Sequence, residues 1–135
     1  METIKVTIDW CEKNYSALIG ENIGGVVVVT DKTLEGLKDK LREAVRFHIE
    51  GLGDEATDWM KSGDYTFRYE YTISAILQNA LNYTTLAALS RITGIRHAQL
   101  SHYANALSRP KQTQSEKIIS GLHTIGNACL SYGTN

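Results

Sequence analysis

No stretch of this chain is apolar enough to span a bilayer: one of its longest apolar runs, Val26–Val29, has four residues where a spanning helix needs about 20. The first residues lack the basic and apolar pattern of a secretory signal, which predicts a cytosolic, cytoplasmic protein. Proline occurs once and no low-complexity run or internal repeat is visible, so a disordered or repetitive chain is excluded. Cys11 and Cys129 are the two cysteines; they match no metal-ligand spacing and predict reduced, structural thiols. At 135 residues the chain can bury a real core, as one domain or two small ones.

Acids are scarce in one half only. Residues 1–71 hold 9 Lys+Arg against 14 Asp+Glu, whereas residues 72–135 hold 5 Lys+Arg against the single acid Glu116. The balances are −5 and +4, hidden inside a net charge of −1. An acidic front and a basic back predict two partners of opposite charge.

In the front half, Ile4, Val6 and Ile8 alternate with polar residues, the period of a half-buried strand. Trp10–Asn14 predicts a hairpin connection, Tyr15–Ile19 a second strand, and the glycines of Gly20–Gly25 another turn. Val26–Thr30 is β-branched throughout and predicts a third strand covered on both faces. Thr33 then caps a helix whose Leu34, Leu37, Leu41, Ala44, Val45, Ile49 and Leu52 form one apolar face. Gly51 and Gly53 end it. Asp54–Asp64 reads as a loop or a poorly anchored turn, and Tyr65, Phe67, Tyr69 and Tyr71 alternate in a fourth strand, packed beneath the helix.

After Thr72 the period lengthens to about 3.6. Ile73, Ile76, Leu77, Ala80 and Leu81 line a helix capped by Thr72 or Ser74. Thr85–Pro110 reads as two short helices broken at Gly94, which suits a left-handed helix end. Ser90 is small at the crossing, and Ile95, Leu100 and Tyr103 face inward. That spacing is the spacing of a DNA-binding helix-turn-helix. Thr113 and Glu116 predict a capping box for a further helix that buries Ile118, Ile119, Leu122 and Ile125. A short fifth helix is expected near Cys129, with Ser131–Asn135 frayed. The fold class expected is α+β: a βββαβ domain over 1–71, then an all-α helix-turn-helix domain over 72–135.

In such a motif the second helix offers its N-terminal residues to base edges in the major groove. Arg96, His97, Gln99, Ser101 and His102 are the candidates there: Gln99 suits adenine, and Arg96 suits guanine or phosphate. Thr85 caps the preceding helix at the same face, and Arg109 and Lys111 suit backbone phosphates. His97 and His102 stand five apart, off the four-residue step of a zinc pair, so no metal or other cofactor is expected. His48 and His123 read as surface or interface residues. Asp9, at the end of the first strand, sits where a ribonuclease-H-type enzyme holds a metal. It lacks converging carboxylates and reads better as a strand-end residue. No nucleophilic or phosphate-cradling arrangement is present, so no enzyme is expected.

Residues 4–50 resemble the HicB antitoxin domain, with meander strands and the T-L-E-x-L start Thr33, Leu34, Glu35 and Leu37. Residues 72–127 resemble the Cro and phage-repressor helix-turn-helix through Gly94–Ile95, Leu100, Ser101, Tyr103, Asn105 and Arg109–Pro110. The resemblance implies a degenerate, partial ribonuclease-H-like front domain that binds a small basic toxin ribonuclease of the HicA kind. It further implies a type II antitoxin whose back domain forms a homodimer or higher homo-oligomer and represses its own operon at double-stranded operator DNA. The alternative is a ligand-responsive or oligomerising transcriptional regulator without a toxin. The loop Gly20–Gly25 lacks the proline-containing segment common in the family. Leu86 stands where a phosphate-contacting glutamine is frequent, and Ala106 replaces the usual glycine after Asn105.

Overall fold

The computed structural model describes residues 1–134. It is a mixed α+β fold of a four-stranded sheet and six helices among the described residues. Strands β1 (Glu2–Cys11), β2 (Asn14–Ile19) and β3 (Val27–Asp31) form an antiparallel meander. Helix α1 (Leu34–Leu52) and the short helix α2 (Asp58–Ser62) lead to β4 (Tyr65–Tyr71), which lies parallel to β1. The strand order is β3-β2-β1-β4.

Alternation decides which face of the sheet is covered. Ile4, Val6, Ile8, Tyr15, Ala17 and Ile19 all point to α1 and are buried. From α1 come Leu37, Leu41, Val45 and Ile49, each contributing about 1.5–3 kcal/mol by leaving water. The Thr33 hydroxyl accepts from the Gly36 N–H at 3.0 Å, the cap the sequence predicts. The helix runs through Gly51 and stops at Gly53, whose φ of 57° needs glycine.

Several expectations change. Strands β1 and β2 extend to Cys11↔Asn14, so the hairpin turn is Glu12–Lys13 alone. β3 is an edge strand covered on one face only, because α1 lies over its inner side while Val28 on its outer side remains 59% exposed; Val26, just before the strand, is 61% exposed. The segment after α1 is anchored rather than loose: it holds a 3₁₀ turn at Gly53–Glu55 and α2, with Met60 buried in the core. The aromatic row on β4 packs against that core but is only half-covered, with rings stepping 5.8–6.5 Å apart and Lys38 lying 4.5 Å from the Tyr69 ring centre. Both cysteines are free and exposed, which removes a structural role in the core.

A second core gathers Leu77, Leu89, Ile95, Leu100, Tyr103, Ala104 and Ile118. They come from α3 (Ile73–Ala80), α4 (Leu86–Thr93), α5 (His97–Ala104), α6 (Gln112–Ser131) and the turn before α5. Thr72, not Ser74, caps α3; Ser74 is fully buried and Leu81 is 40% exposed. The predicted capping box does not form, because α6 starts earlier at Gln112 and Glu116 instead accepts from the Gln112 side chain at 3.1 Å. α6 is unbroken to Ser131, so no separate helix forms near Cys129. Tyr132–Thr134 follow it without regular structure, and Asn135 lies outside the described residues.

Candidate nucleic-acid interface

The geometry of α4 and α5 is set by local chemistry. Thr85 accepts from the Ala88 N–H at 3.1 Å and so starts α4. Gly94, at φ 78°, ends it with its N–H on the Ser90 carbonyl. The Ser90 hydroxyl donates to the Ile95 carbonyl at 2.6 Å, so this small residue also ties the turn to the helix before it. Thr93 adds a second tie by accepting from the Ile95 N–H at 3.1 Å. Ile95 and Leu100 are then driven into the core, which fixes how α5 leaves the turn.

The far end of α5 is held by α3. The buried Ser74 hydroxyl donates to the Tyr103 carbonyl at 2.6 Å, and the Gln78 amide donates to the Ala104 carbonyl at 2.7 Å. These are carbonyls that a helix end otherwise leaves unpaired. Beyond them Ala106 takes φ 58° and the Leu107 N–H reaches the His102 carbonyl at 2.9 Å, a Schellman closure with alanine in the glycine position.

Of the residues singled out from sequence, Arg96, His97, Gln99, Ser101 and His102 lie together on the outer side of α5 and its start. The side chains of Arg96, His97 and His102 are exposed and make no hydrogen bond or ion pair to another described residue. Gln99 is held only by a 3.4 Å contact to the Ser108 hydroxyl, whereas Ser101 is engaged by the Asn105 amide. Lys111 is exposed at the start of α6 with its side chain unused in the cap. A shallow cleft beside the turn joins Arg96 and Gln99 to Gln114 and Lys117 of α6. The sequence reading missed those last two, since only the fold brings the first turns of α6 next to Gly94.

Arg109 is placed differently from expectation. Its guanidinium grips Asp9 in a two-pronged pair, Nη1 to Oδ1 and Nη2 to Oδ2 at 2.9 Å each. Nη1 also donates to the Ser74 hydroxyl at 3.2 Å. Asp9 further accepts from the Thr72 hydroxyl at 2.6 Å and the Trp10 N–H at 2.8 Å. Burial pushes the Asp9 carboxyl up, but the bonds from Arg109, Thr72 and Trp10 outweigh it and hold the group below its ordinary value. Asp9 is therefore the joint between the sheet and the helices, and through Ser74 it reaches the end of α5.

The arrangement is a pair of helices around a rigid turn, with an outer face rich in hydrogen-bonding groups. Compared with known protein families, with curated proteins and with solved structures, the chain matches none.

Proposed function

We propose that the chain is a type II antitoxin that is also a repressor of its own operon. In this reading α4 and α5 are a helix-turn-helix and α5 enters the major groove of operator DNA. The observation that carries it is the outer face of α5: the side chains of Arg96, His97 and His102 have no partner among the described residues, with Gln99 only loosely held, around a turn fixed by Gly94 and Ser90. Solvent-facing side chains of that kind on a rigid helix suit base edges and phosphates. Lys111 and Lys117 extend the cationic surface toward the DNA backbone, while Arg109 acts as a brace.

The front half, at −5, suits a small basic toxin ribonuclease, as the HicB resemblance implies. The last turn of α6 carries Leu130 at 85% exposure and Tyr132 just beyond it is 76% exposed, which supports self-association of the back half into a dimer. Fluorescence anisotropy with the DNA upstream of this gene, and co-purification with the product of the adjacent short reading frame, test the two halves separately. Sequence-preferring DNA binding and a stable complex are expected. DNA binding without a complex would leave the regulator reading in place of the antitoxin.

A further inference from the structure

Strand β4 forms the sheet edge opposite β3 and pairs only with β1, from Glu2↔Tyr65 to Ile8↔Tyr71 without a bulge. Its backbone groups alternate in direction. The Asp64 carbonyl accepts from the Glu2 N–H at 3.2 Å, and the Thr72 N–H donates to the Ile8 carbonyl at 2.9 Å. Even-numbered residues therefore turn their peptide groups toward β1, and those of Tyr65, Phe67, Tyr69 and Tyr71 point away from the sheet. No other described residue hydrogen-bonds to these outward groups. The same four residues carry the half-covered aromatic row, because α1 packs over β3 and β2 and leaves β4 at its margin. An unbroken edge with an open backbone and exposed aromatic rings is a template for another strand.

The charges on β4 decide which strand fits. Arg68 and Glu70 stand on the face away from α1, with their side chains 62% and 48% exposed. Within the chain Glu70 lies 3.4 Å from both Arg68 and Lys5. Facing residues of an antiparallel pair share a backbone direction, so a second copy of β4 has few registers open to it. A two-fold axis at Tyr69 sets that residue against its own equivalent, Phe67 against Tyr71, and Arg68 against Glu70 on both sides. An axis at Arg68 or at Glu70 sets like charges face to face, and an axis at Phe67 sets Glu70 against Asp64. The strand is thus complementary to itself in charge and in ring pairing, in one register. Lys38 rests over the Tyr69 and Tyr71 rings at 4.5 and 5.9 Å, from the helix side. Two copies would bring both Lys38 groups to that face, each already held by its own rings.

We propose that β4 is a self-pairing edge: a second copy of the chain adds its own β4 antiparallel, about a two-fold axis at Tyr69, and the two sheets become one. This interface is independent of the antitoxin and operator readings and separate from the end of α6. The test uses the full chain in light scattering over a dilution series, with oxidative cross-linking as a second measurement. Glu70→Arg sets a second guanidinium against Arg68 on both sides of the axis and should weaken association at least tenfold. Adding Arg68→Glu to that variant should restore wild-type association, which a mere folding defect would not allow. For cross-linking, Cys11 and Cys129 are first replaced by serine. Tyr69→Cys should then give a disulfide-linked dimer under mild oxidation, since facing Cα atoms about 5.5 Å apart are within disulfide reach. Phe67→Cys should not, because residue 67 faces Tyr71 of the second copy. A wild-type chain that stays monomeric throughout would overturn the proposal. So would an assembly whose mass Glu70→Arg leaves unchanged, which would place self-association elsewhere, as at α6. Cross-linking of Phe67→Cys as ready as that of Tyr69→Cys would overturn the register.

Discussion

At the scale of single residues, Asp9 concentrates more structural consequence than any other side chain. It accepts from Arg109, Thr72 and its neighbour's N–H, and each bond favours the ionised carboxylate. Because its folded value lies below the unfolded one, the stability it adds is present above the unfolded value, about 3.9. That stability is lost as pH falls through the lower, folded value. Asp9→Asn should therefore cost about 1–2 kcal/mol in urea denaturation at pH 7, allowing for the half-exposed Arg109. The gap between variant and wild type should close as the pH drops below 4. On the face of α5, Gln99→Ala and Arg96→Ala should each weaken or relax operator binding by about 1–3 kcal/mol wherever the contact is a true bidentate base contact. Competition titrations against point-changed operators read that directly. Arg109 shows why residue-level reading of sequence stops short. Its position just past α5 suggested a phosphate contact, but its partner lies 100 positions away on β1, beyond any local pattern.

At the scale of elements, the turn from α4 to α5 and the closure after α5 are opposite cases. Gly94 holds a left-handed conformation, so Gly94→Ala should destabilise by about 1 kcal/mol. Ala106 holds the same kind of conformation with a side chain, so Ala106→Gly should be neutral or stabilise by up to about 1 kcal/mol despite glycine's entropy. Thermal melts of the two variants, moving in opposite directions, check both. The elements themselves were largely legible, because strand alternation in β1 and β4 and the apolar stripe of α1 are strong periodic signals. Misreadings fell where tertiary placement decides. β3 is apolar enough for a central strand yet lies at the edge, and Thr113 and Glu116 have capping-box spacing inside a helix that had already begun. The outer face of α5 was legible as a set of residues, whereas Gln114 and Lys117 beside it were not, since they belong to a different helix.

At the scale of the molecule, two cores meet at one polar joint. Asp9 on the sheet is linked through Arg109 and Ser74 to the Tyr103 carbonyl at the end of α5. The brace fixes α5 relative to the sheet. This has a consequence of unusual sign. Removing a negative charge near the proposed DNA-binding face should raise DNA affinity on electrostatic grounds alone, but Asp9→Asn should lower it, because α5 loses its support. Arg109→Gln should lower affinity to a similar degree without reducing the salt slope, and the double variant should show a non-additive loss. Loss of about one unit of slope in Arg109→Gln would instead make Arg109 a phosphate contact. The central claim, that α5 reads DNA, is tested most directly by titrating the chain with the DNA upstream of its gene across a salt series, with a scrambled duplex as reference. The account predicts affinity that falls with salt for both duplexes, a preference for the upstream sequence, and loss of that preference in Gln99→Ala combined with Arg96→Ala. Equal affinity for both duplexes, or a preference unchanged in the double variant, would contradict it.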